Sequence, residues 1–549
     1  MRFSFSSPAC QKYLRERSFD VCIVGAGVAG VVVACELIAS NPNLSILLIE
    51  QGSEDPKKGN NIPTDVASRG ISIKSWSRVF SLGGASKTWG GVSTALDDRE
   101  MRGHDFFHCP SWPIDLDELS PYYEKVRDKF NFPPEPTAPL IPPPLFSTLT
   151  AREFACKVLP ADFESFIHEA VVTVTDAHVS QLVSENGDQT VECIKVSSSS
   201  EPAKTIEVYA QTFVIASGTI ESLKLLLNSC NDKGIKLGDS FNVLGRFFMN
   251  HPKANVATIQ LPENNSHFET LVGIGQRDVF RYVGLSLSKE IQEQQGLLNS
   301  YFKLVPIYEW NEDNALRTGI QQIRNLPFVM KLFMKLRFKK TFSLLDSAEI
   351  GEENENLNQQ FVGGFKTIFL GLKYLWYRLT GFQPPVTKYE VRIFLEMMPN
   401  FGNVVSLADD LDKFGKNNVL VKNIFSDVDK RTVEVLLDQL RFHVETQLGG
   451  KFTLTEQLKT VTGDINWNGF VDASHHLGGA IMGNNAGKSV VNSNLRVHSL
   501  SNVYVCGGAV FPTSGSANPT WTIAALASRL SDYLLKNGNH EELKGRDIQ

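Results

Sequence analysis

Residues 19–50 show a block pattern of apolar and polar positions. Residues 19–24 form a short, β-branched apolar run, and residues 44–49 form a second one. Between them, residues 31–40 are apolar with Glu36 as the only charge, which is long enough for about three helical turns. Short, unbroken apolar runs are typical of parallel strands buried on both faces. The pattern therefore predicts a strand, a helix and a second strand.

A glycine-rich turn joins the first predicted strand to the helix, with the sequence Gly25-Ala26-Gly27-Val28-Ala29-Gly30. Gly25 allows a tight turn, Gly27 leaves room for a pyrophosphate, and Gly30 lets the helix approach the strand. The helix N-terminus adds free N–H groups and a partial positive charge. Glu50, followed by Gln51, lies about 20 to 25 residues further on, where a carboxylate binds ribose hydroxyls. The stretch predicts a dinucleotide site, and leaves open NAD, FAD or a turn without a ligand.

A second glycine-rich segment surrounds a tryptophan. It contains Gly83, Gly84, Ser86, Trp89, Gly90 and Gly91. So many glycines disfavour a regular helix and indicate either a loop whose backbone lies along a flat ligand or an ordinary surface loop. Residues 213–227 repeat the order of strand, small-residue turn and helix, with Ala216 and Ser217 in the turn.

Two local elements are predicted between these motifs. Residues 120–130 predict a helix with Ser120 as its N-cap and Pro121 in its first turn. Residues 163–174 predict a strand, which includes Val172.

Length and composition limit the class of protein. The 549 residues are too many for one compact core, so two or more domains are expected. The net charge of −6 gives no support to binding of nucleic acid. The eight cysteines show no metal-ligand spacing and favour a reduced, intracellular protein. Because neither a signal peptide nor a long uncharged apolar window occurs, the sequence predicts a cytoplasmic location.

Two stretches of the middle region are basic and apolar together. They span residues 326–340 and 361–379, within a combined region of 326–379. One interpretation is a pair of helices that contact a membrane surface or a protein partner. The other is a pair of amphipathic helices that cover a second domain with their lysines in water.

The order of the motifs resembles the glucose–methanol–choline (GMC) oxidoreductase family, whose members are FAD-dependent enzymes that oxidise alcohols. The matching segments are 25–30 with Glu50, 83–91, 213–227, 245–252, 395–415, 475–483 and 515–520. The resemblance covers both ends of the chain, and the middle matches poorly. It implies FAD rather than NAD as the dinucleotide.

The resemblance also implies the fold class. It is an α/β fold with a Rossmann-like FAD-binding domain of the GMC and glutathione-reductase type, and a second, α+β substrate-binding domain. The expected FAD domain is discontinuous and takes residues 15–105, 155–255 and 464–540. The expected substrate-binding cap takes residues 106–154 and 256–463.

The residues expected to bind FAD come from four of these motifs and, for Gln51, Val172, Gly508 and Ala509, from outside them. They are Gly25, Gly27, Val28, Ala29, Gly30, Glu50, Gln51, Gly83, Gly84, Ser86, Trp89, Gly90, Gly91, Val172, Ala216, Ser217, Gly508, Ala509, Asn518, Pro519 and Thr520.

The expected reaction moves a hydroxyl proton to a base and a hydride from carbon to flavin N5. A histidine suits the base because its pKa lies near neutral pH. The resemblance places His475 at the family's catalytic histidine, with His476 as the alternative at the next position. Asn518 matches the second polar residue and is expected to hold the substrate oxygen. This His/Asn pair resembles the pyranose oxidase-like branch of the family.

The chain also departs from the family pattern. Thr88 replaces the histidine that bonds covalently to the flavin in some relatives, which implies FAD held without a covalent link. Gly508 and Ala509 stand where many relatives have an aspartate near the pyrophosphate. Gly479 and Ile481 replace a threonine and an arginine of the family pattern.

The expected partners are a small-molecule alcohol and an electron acceptor, either O2 or an unidentified one. No nucleic acid or metal is expected, and the 35 phenylalanines favour a bulky, partly apolar substrate. An alternative is an FAD-dependent reductase or monooxygenase acting on a bulky natural product. A further alternative is a flavoprotein of the membrane surface in which FAD is structural.

Overall fold

The computed structural model describes most of the chain in two β-sheet layers with helices packed on them. The described residues are 1–53, 66–103, 109–134, 146–157, 160–184, 189–198, 201–232, 234–262, 271, 274–276, 279–312, 365–380, 386, 388–459 and 465–537.

The strands and helices of this part of the chain are as follows. The strands are β1 (Arg2–Ser4), β2 (Ser18–Val24), β3 (Ile46–Ile49), β4 (Ala67–Gly70), β5 (Val92–Ser93), β6 (Leu149–Lys157), β7 (Val172–Thr175), β8 (His178–Val183), β9 (Cys193–Ser197), β10 (Thr205–Ile215), β11 (Lys253–Gln260), β12 (Ile274–Gln276), β13 (Val279–Leu287), β14 (Tyr301–Ile307), β15 (Lys388–Phe394), β16 (Val404–Leu411), β17 (Asn417–Asn423), β18 (Lys451–Leu454) and β19 (Val503–Val505). The helices are α1 (Pro8–Arg15), α2 (Val28–Ser40), α3 (Asp98–Arg102), α4 (Leu116–Lys129), α5 (Thr219–Asn231), α6 (Lys289–Gln295), α7 (Phe365–Thr380), α8 (Asp427–Phe442) and α9 (Thr520–Asn537).

The first sheet carries the predicted dinucleotide-binding unit. Its parallel part has the strand order β1-β7-β3-β2-β10-β19, and β9 and β8 continue it as antiparallel strands beyond β10. Cys22 of β2 lies between Leu47 of β3 and Phe213 of β10, and all three side chains are buried. Helices α2 and α9 pack together on this sheet. The predicted order of strand, helix and strand at residues 19–50 is confirmed.

The second sheet is antiparallel and belongs to the middle of the chain. Its order is β18-β11-β15-β14-β13-β6-β5, with β12 added on β13. Helix α8 buries Val433, Leu436 and Leu440 in the core of this sheet. A smaller sheet pairs β16 with β17, and β17 with β4. The expected α/β fold with a second, α+β layer is confirmed by this architecture.

Two segments bear on the expected domain boundaries, which stay a prediction. Helix α4 was assigned to the cap by sequence, yet its buried Leu119, Tyr123 and Val126 belong to the core of the first sheet. Strand β6 extends past residue 155 while pairing with β13 of the second sheet. The chain therefore passes from one sheet layer to the other within these two segments as well as in the connections between segments.

The predicted start of α4 is wrong. The helix begins at Leu116 and not near Ser120, because Asp115 is its N-cap and its Oδ1 accepts a hydrogen bond of 2.8 Å from Glu118 N. Pro121 lies inside the helix, and Ser120 Oγ donates to the carbonyl of Leu116 at 2.7 Å.

None of the helices in the described part of the chain combines the length and the apolarity that crossing a bilayer requires. The predicted basic stretch at 326–340 lies outside the described residues, and the stretch at 361–379 is described from residue 365 as α7.

Candidate active site

A long cavity runs across the carboxyl ends of the parallel strands. It encloses about 1530 Å³ between its walls, its solvent-open mouth included. One end is lined by the turn after β2 and by Glu50 and Gln51, and the other by Ser474, His475 and His476. Pro519 and Thr520, at the start of α9, line it as well. The cavity thus joins the predicted dinucleotide turn to the predicted catalytic histidines.

The glycine turn has the shape that the sequence predicts. Gly25 has φ of +104°, and a Cβ on it would lie 2.5 Å from the Ala216 carbonyl oxygen. A Cβ on Gly30 would lie 2.0 Å from the carbonyl oxygen of Gly25, so that helix and turn touch through backbone alone. A Cβ on Gly27 would meet nothing within 4 Å, because that side faces the cavity. The turn therefore exposes backbone and the N-terminus of α2 to a ligand.

Glu50 is buried beside this turn and binds its backbone. Its two carboxylate oxygens accept from Ala26 N at 3.0 Å and from Gly52 N at 2.9 Å. Burial raises the pKa of Glu50 to about 7, and the backbone donors act in the opposite direction. The carboxyl group therefore links the end of β3 to the glycine turn by hydrogen bonds. The expected contact of Glu50 with a ribose stays a prediction.

The structure brings twelve of the residues predicted to bind FAD to the cavity wall. They are Gly25, Gly27, Val28, Ala29, Glu50, Gln51, Gly84, Ala216, Ser217, Gly508, Pro519 and Thr520. Other residues of the wall were not predicted from the sequence, such as residues 77–80, Gly218, Thr219 and Lys224. The main signal that could have found them is adjacency in sequence to predicted motifs.

The remaining predicted residues are not among those that line the cavity. They are Gly30, Gly83, Ser86, Trp89, Gly90, Gly91, Val172, Ala509 and Asn518. Ser86 Oγ accepts from Phe163 N at 3.0 Å, and Trp89 Nε1 donates to the carbonyl of Ala161 at 3.1 Å. The Trp89 ring also packs edge-on against Phe132. These contacts hold the 83–91 segment on the protein core.

A backbone bridge places the segment of residues 474–476 beside a second histidine. Met249 and Leu477 exchange hydrogen bonds of 2.8 and 2.9 Å between their backbones. His475 and His251, two residues from that bridge on either chain segment, consequently meet. Their Nδ1 atoms lie 3.0 Å apart, although the residues are 224 positions apart in sequence.

The hydrogen bonds around these histidines have a defined direction. The Ser514 carbonyl can only accept, so His251 Nε2, at 3.2 Å, carries a proton and donates it. Burial lowers the pKa of His251, so the ring is neutral and its Nδ1 accepts from the Nδ1–H of His475. His475 Nε2 is then without a proton and accepts from Asn518 Nδ2 at 3.3 Å. Ser514, His251, His475 and Asn518 form one directed chain of hydrogen bonds.

Asn518 presents a second polar atom at the same place. Its Oδ1 is buried and has no hydrogen-bond partner within the described residues. An unpaired buried oxygen is costly unless a ligand or water supplies a donor. Asn518 thus lies where a bound polar group would meet both its amide N–H and its oxygen.

His476 is held by a different partner. Its Nε2 lies 3.1 Å from Asp472 Oδ2, and the other carboxylate oxygen of Asp472 accepts from Asn250 Nδ2 and Ser474 N. Burial opposes ionisation of Asp472, but His476 and these donors hold the pKa of its carboxyl well below the usual range. Ser474, with φ of +67°, takes a left-handed conformation that costs a residue with a side chain about 1–3 kcal/mol. Asp472 thereby fixes the backbone that presents both histidines.

The pKa of His475 lies well below the ordinary histidine value. Burial is the largest cause, and the neighbouring His251 and Lys253 act in the same direction. A lowered pKa keeps the ring neutral at pH 7, which is the form that accepts a proton. His251 lies within the 245–252 motif, but the sequence predicts no role for it, because its contact with His475 is not local.

Comparison with known proteins bears on this arrangement. Residues 405–527, which include His475 and Asn518, match the family model described as GMC oxidoreductase. Over these residues the chain is similar to the GMC oxidoreductase family. The predicted family resemblance is confirmed.

Two curated proteins are similar to parts of this chain. The large subunit of fructose dehydrogenase from Gluconobacter japonicus is 25% identical over 334 residues, which is 60% of this chain and 48% of that protein. The 6'''-hydroxyparomomycin C oxidase from Streptomyces lividus is 34% identical over 138 residues, which is 24% of this chain and 22% of that protein. The chain thus spans about half or less of the length of these relatives.

Solved structures share the fold of this chain over nearly its whole length. Pyridoxine 4-oxidase from Mesorbium loti matches with a TM-score of 0.57 at 13% identity, over 94% of this chain and 99% of that one. At that identity the likeness shows the fold alone.

The cavity fits the FAD that the family resemblance implies. Backbone approaches it at Gly27 and at the N-terminus of α2, which suits a pyrophosphate. Gly218 and Gly507 have positive φ and open space where a Cβ would lie, so no side chain narrows the cavity at these two positions. The unpartnered Asn518 Oδ1 adds a polar group at the histidine end.

Proposed function

We propose that the chain is an FAD-dependent oxidoreductase that oxidises a CH–OH group to a carbonyl. The residues of the cavity wall from Gly25 to Ala29, with Glu50 and Gln51, would hold the adenosine and pyrophosphate parts of FAD. Ser474–His476 and residues 508 and 519–520 would surround the flavin. When bound, the flavin supplies an acceptor for the hydride and its two electrons.

The observation that carries this proposal is the directed chain of hydrogen bonds at the cavity end. It leaves His475 Nε2 without a proton. The substrate O–H displaces the Asn518 N–H from the lone pair of this atom, and the O–H proton goes to it. The carbon–hydrogen bond breaks with its electron pair, and the C=O double bond forms. His475, then an imidazolium, keeps donating its Nδ1–H to His251, which orients the ring. The second N–H of Asn518 Nδ2 holds the substrate oxygen.

The direct test is reduction of the bound flavin without oxygen. The purified holoprotein is mixed anaerobically with a panel of alcohols, and the visible flavin absorbance is followed. The panel includes fructose, an aminoglycoside and pyridoxine, after the names of the similar proteins. Bleaching by an alcohol supports the proposal, and rapid recovery in air marks O2 as the acceptor. Bleaching by NAD(P)H alone favours the reductase or monooxygenase instead.

Two matched variants test which histidine is the base. His475→Gln should keep its FAD and reduce it about 10²- to 10⁴-fold more slowly, because the proton acceptor is gone. His476→Gln should lose less, since Asp472 and not the substrate is its hydrogen-bond partner. The reverse order of the two effects would assign the base to His476.

We also propose that FAD is bound without a covalent link. Thr88 is exposed, and its Oγ1 donates to the carbonyl of Ala85 at 3.3 Å. A threonine hydroxyl cannot form the histidine–flavin bond that the resemblance describes for other members. Acid precipitation of the holoprotein used in the experiments above should release all flavin, and flavin left in the pellet contradicts this point.

An apolar surface favours a contact with a membrane or a protein partner as an additional property. Ile368, Phe369, Leu372 and Trp376 of α7 are exposed, while Leu370 of the same helix is buried against Trp310. We propose that this face of α7 lies on a membrane surface.

A further inference from the structure

Residues 513–518, called here the 513–518 loop, carry both ends of the hydrogen-bond chain. The Ser514 carbonyl accepts from His251, and Asn518 donates to His475. A shift of this loop would therefore move the Ser514 carbonyl, which sets the tautomer of His251, and the Asn518 amide, which bonds to His475. The residues that hold the loop in place consequently also determine the state of the proposed proton acceptor, His475 Nε2.

A fully buried glutamate binds the loop at two places. Glu100, in α3, accepts from Ser516 N at 2.6 Å and from Ser516 Oγ at 2.8 Å, both at Oε1. The Glu100 carbonyl accepts from Thr513 Oγ1 at 2.6 Å. Gly515 lies directly over the carboxyl group, because a Cβ on it would be 3.0 Å from Glu100 Cδ. The 513–518 loop is thus packed around the side chain of Glu100.

An arginine from the second sheet completes the anchor. Arg152 of β6 donates to both oxygens of Glu100 at 2.6 and 3.0 Å, and to Ser516 Oγ at 2.7 Å. Burial alone would raise the pKa of Glu100, but Arg152 outweighs it and lowers that pKa to about 2. Asn299 and the backbone of Asp97 donate to the remaining positions of the carboxylate. The Glu100 carboxylate is therefore ionised, is paired with Arg152 and accepts hydrogen bonds at both of its oxygens.

We propose that Glu100 is a positioning residue of the reaction, which anchors the 513–518 loop and so holds Ser514 and Asn518 against the two histidines. This inference rests on the proposed function only for its kinetic consequence. The anchor joins three separate parts of the chain at the site. Its geometric consequence can be measured in a protein that reduces no alcohol.

The kinetic test compares Glu100→Gln with Glu153→Gln. Glu153 is next to Arg152 on β6, faces the other side of the sheet and pairs with Arg281, so its variant is the matched loss of a Glu–Arg pair. Glu100→Gln should slow anaerobic flavin reduction about 10- to 100-fold, since small displacements of positioning groups cost rate on this scale. The dissociation constant of the alcohol should change less than about threefold. Glu153→Gln should reduce its flavin at the wild-type rate.

A double variant separates positioning from stability. Glu100→Gln/Arg152→Met removes both buried charges, and such replacements often restore stability. We expect its thermal midpoint to exceed that of Glu100→Gln while its flavin reduction stays slow. A wild-type reduction rate in the double variant would overturn the proposal.

The crystal structure of Glu100→Gln gives the readout that needs no substrate. The separation of Asn518 Nδ2 and His475 Nε2, 3.3 Å in the wild type, should lengthen beyond hydrogen-bond distance. An unmoved loop with both contacts intact overturns the positioning role, whatever the activity. If no alcohol reduces the wild-type flavin, the proposed function fails and this structural comparison still decides the role of Glu100.

Discussion

His475 differs from a surface histidine in that its surroundings decide its charge. The ring is buried, its hydrogen bonds within the described residues go to uncharged groups, and its neighbour His251 is a neutral acceptor. If His475 is the proposed base, His251 takes the orienting position that an aspartate has in the His–Asp pair of hydrolases. The neutral ring is then already in the form that accepts a proton.

The lowered pKa of His475 predicts the pH dependence of flavin reduction. Because the folded pKa lies below the ordinary value of about 6.5, the neutral ring persists as the pH falls through that value. The rate of anaerobic reduction should stay constant from about pH 8 to about pH 6.5 and fall only at lower pH. Stopped-flow measurement across this range tests it, and a midpoint close to 6.5 would contradict it.

The elements of the first sheet could be predicted because their signals are local. The turn at Gly25 and Gly30 and the apolar runs beside it are contained in one short stretch. The start of α4 was predicted wrongly because Ser120 and Asp115 are both acceptable caps, and the longer helix buries Leu119 against the first sheet. The contact of His251 with His475 joins distant segments, and no local pattern carries it.

The hairpin of β16 and β17 shows how one element closes the cavity. Its tip lies on α5, where Lys224 Nζ donates to Asp412 Oδ2 at 2.7 Å and Asn228 exchanges two hydrogen bonds of 3.0 Å with the Asn417 backbone. Phe414 of the tip stacks on His178, with ring centres 3.7 Å apart. Lys416 lines the cavity beside Gln51 and His178.

Loosening this tip should weaken binding of FAD. Asp412→Ala removes the acceptor of Lys224 and of two backbone N–H groups in the tip, which should lower the free energy of unfolding by about 1–3 kcal/mol. The dissociation constant of FAD should rise roughly tenfold, equivalent to about 1.4 kcal/mol. Fluorescence of released FAD measures it. Asp409→Ala, at an exposed position of the same hairpin, is the control and should leave FAD binding unchanged.

At the scale of the whole molecule, the two sheets contribute different parts of the site. The first sheet supplies the dinucleotide turn, and the second contributes Arg152 and the buried residues behind the 513–518 loop. The segments that pass between them, β6 and α4, could not be assigned from composition, because both layers use similar apolar residues. Family motifs located the ends of the site, while packing between the layers completed it.

The exposed face of α7 gives a prediction at the same scale. If it lies on a membrane surface, the protein should float with anionic lipid vesicles, because apolar side chains enter the interface and basic ones remain beside it. Phe369→Glu/Trp376→Glu should abolish flotation and leave flavin reduction unchanged. Phe241→Glu alters an equally exposed aromatic residue elsewhere and should float as the wild type does. Wild-type protein that stays at the bottom of the gradient contradicts the proposal.

The pairing of strand β19 has a consequence for the order in which the parts of the cavity assemble. It pairs with β10 beside β2, so the sheet that begins near the N-terminus is finished by residues 503–505. The floor of the cavity at Gly508, Pro519 and Thr520 follows directly after it. The cavity wall is therefore incomplete until residues 503–520 have folded onto β10. We expect a dinucleotide to bind only after this pairing has formed.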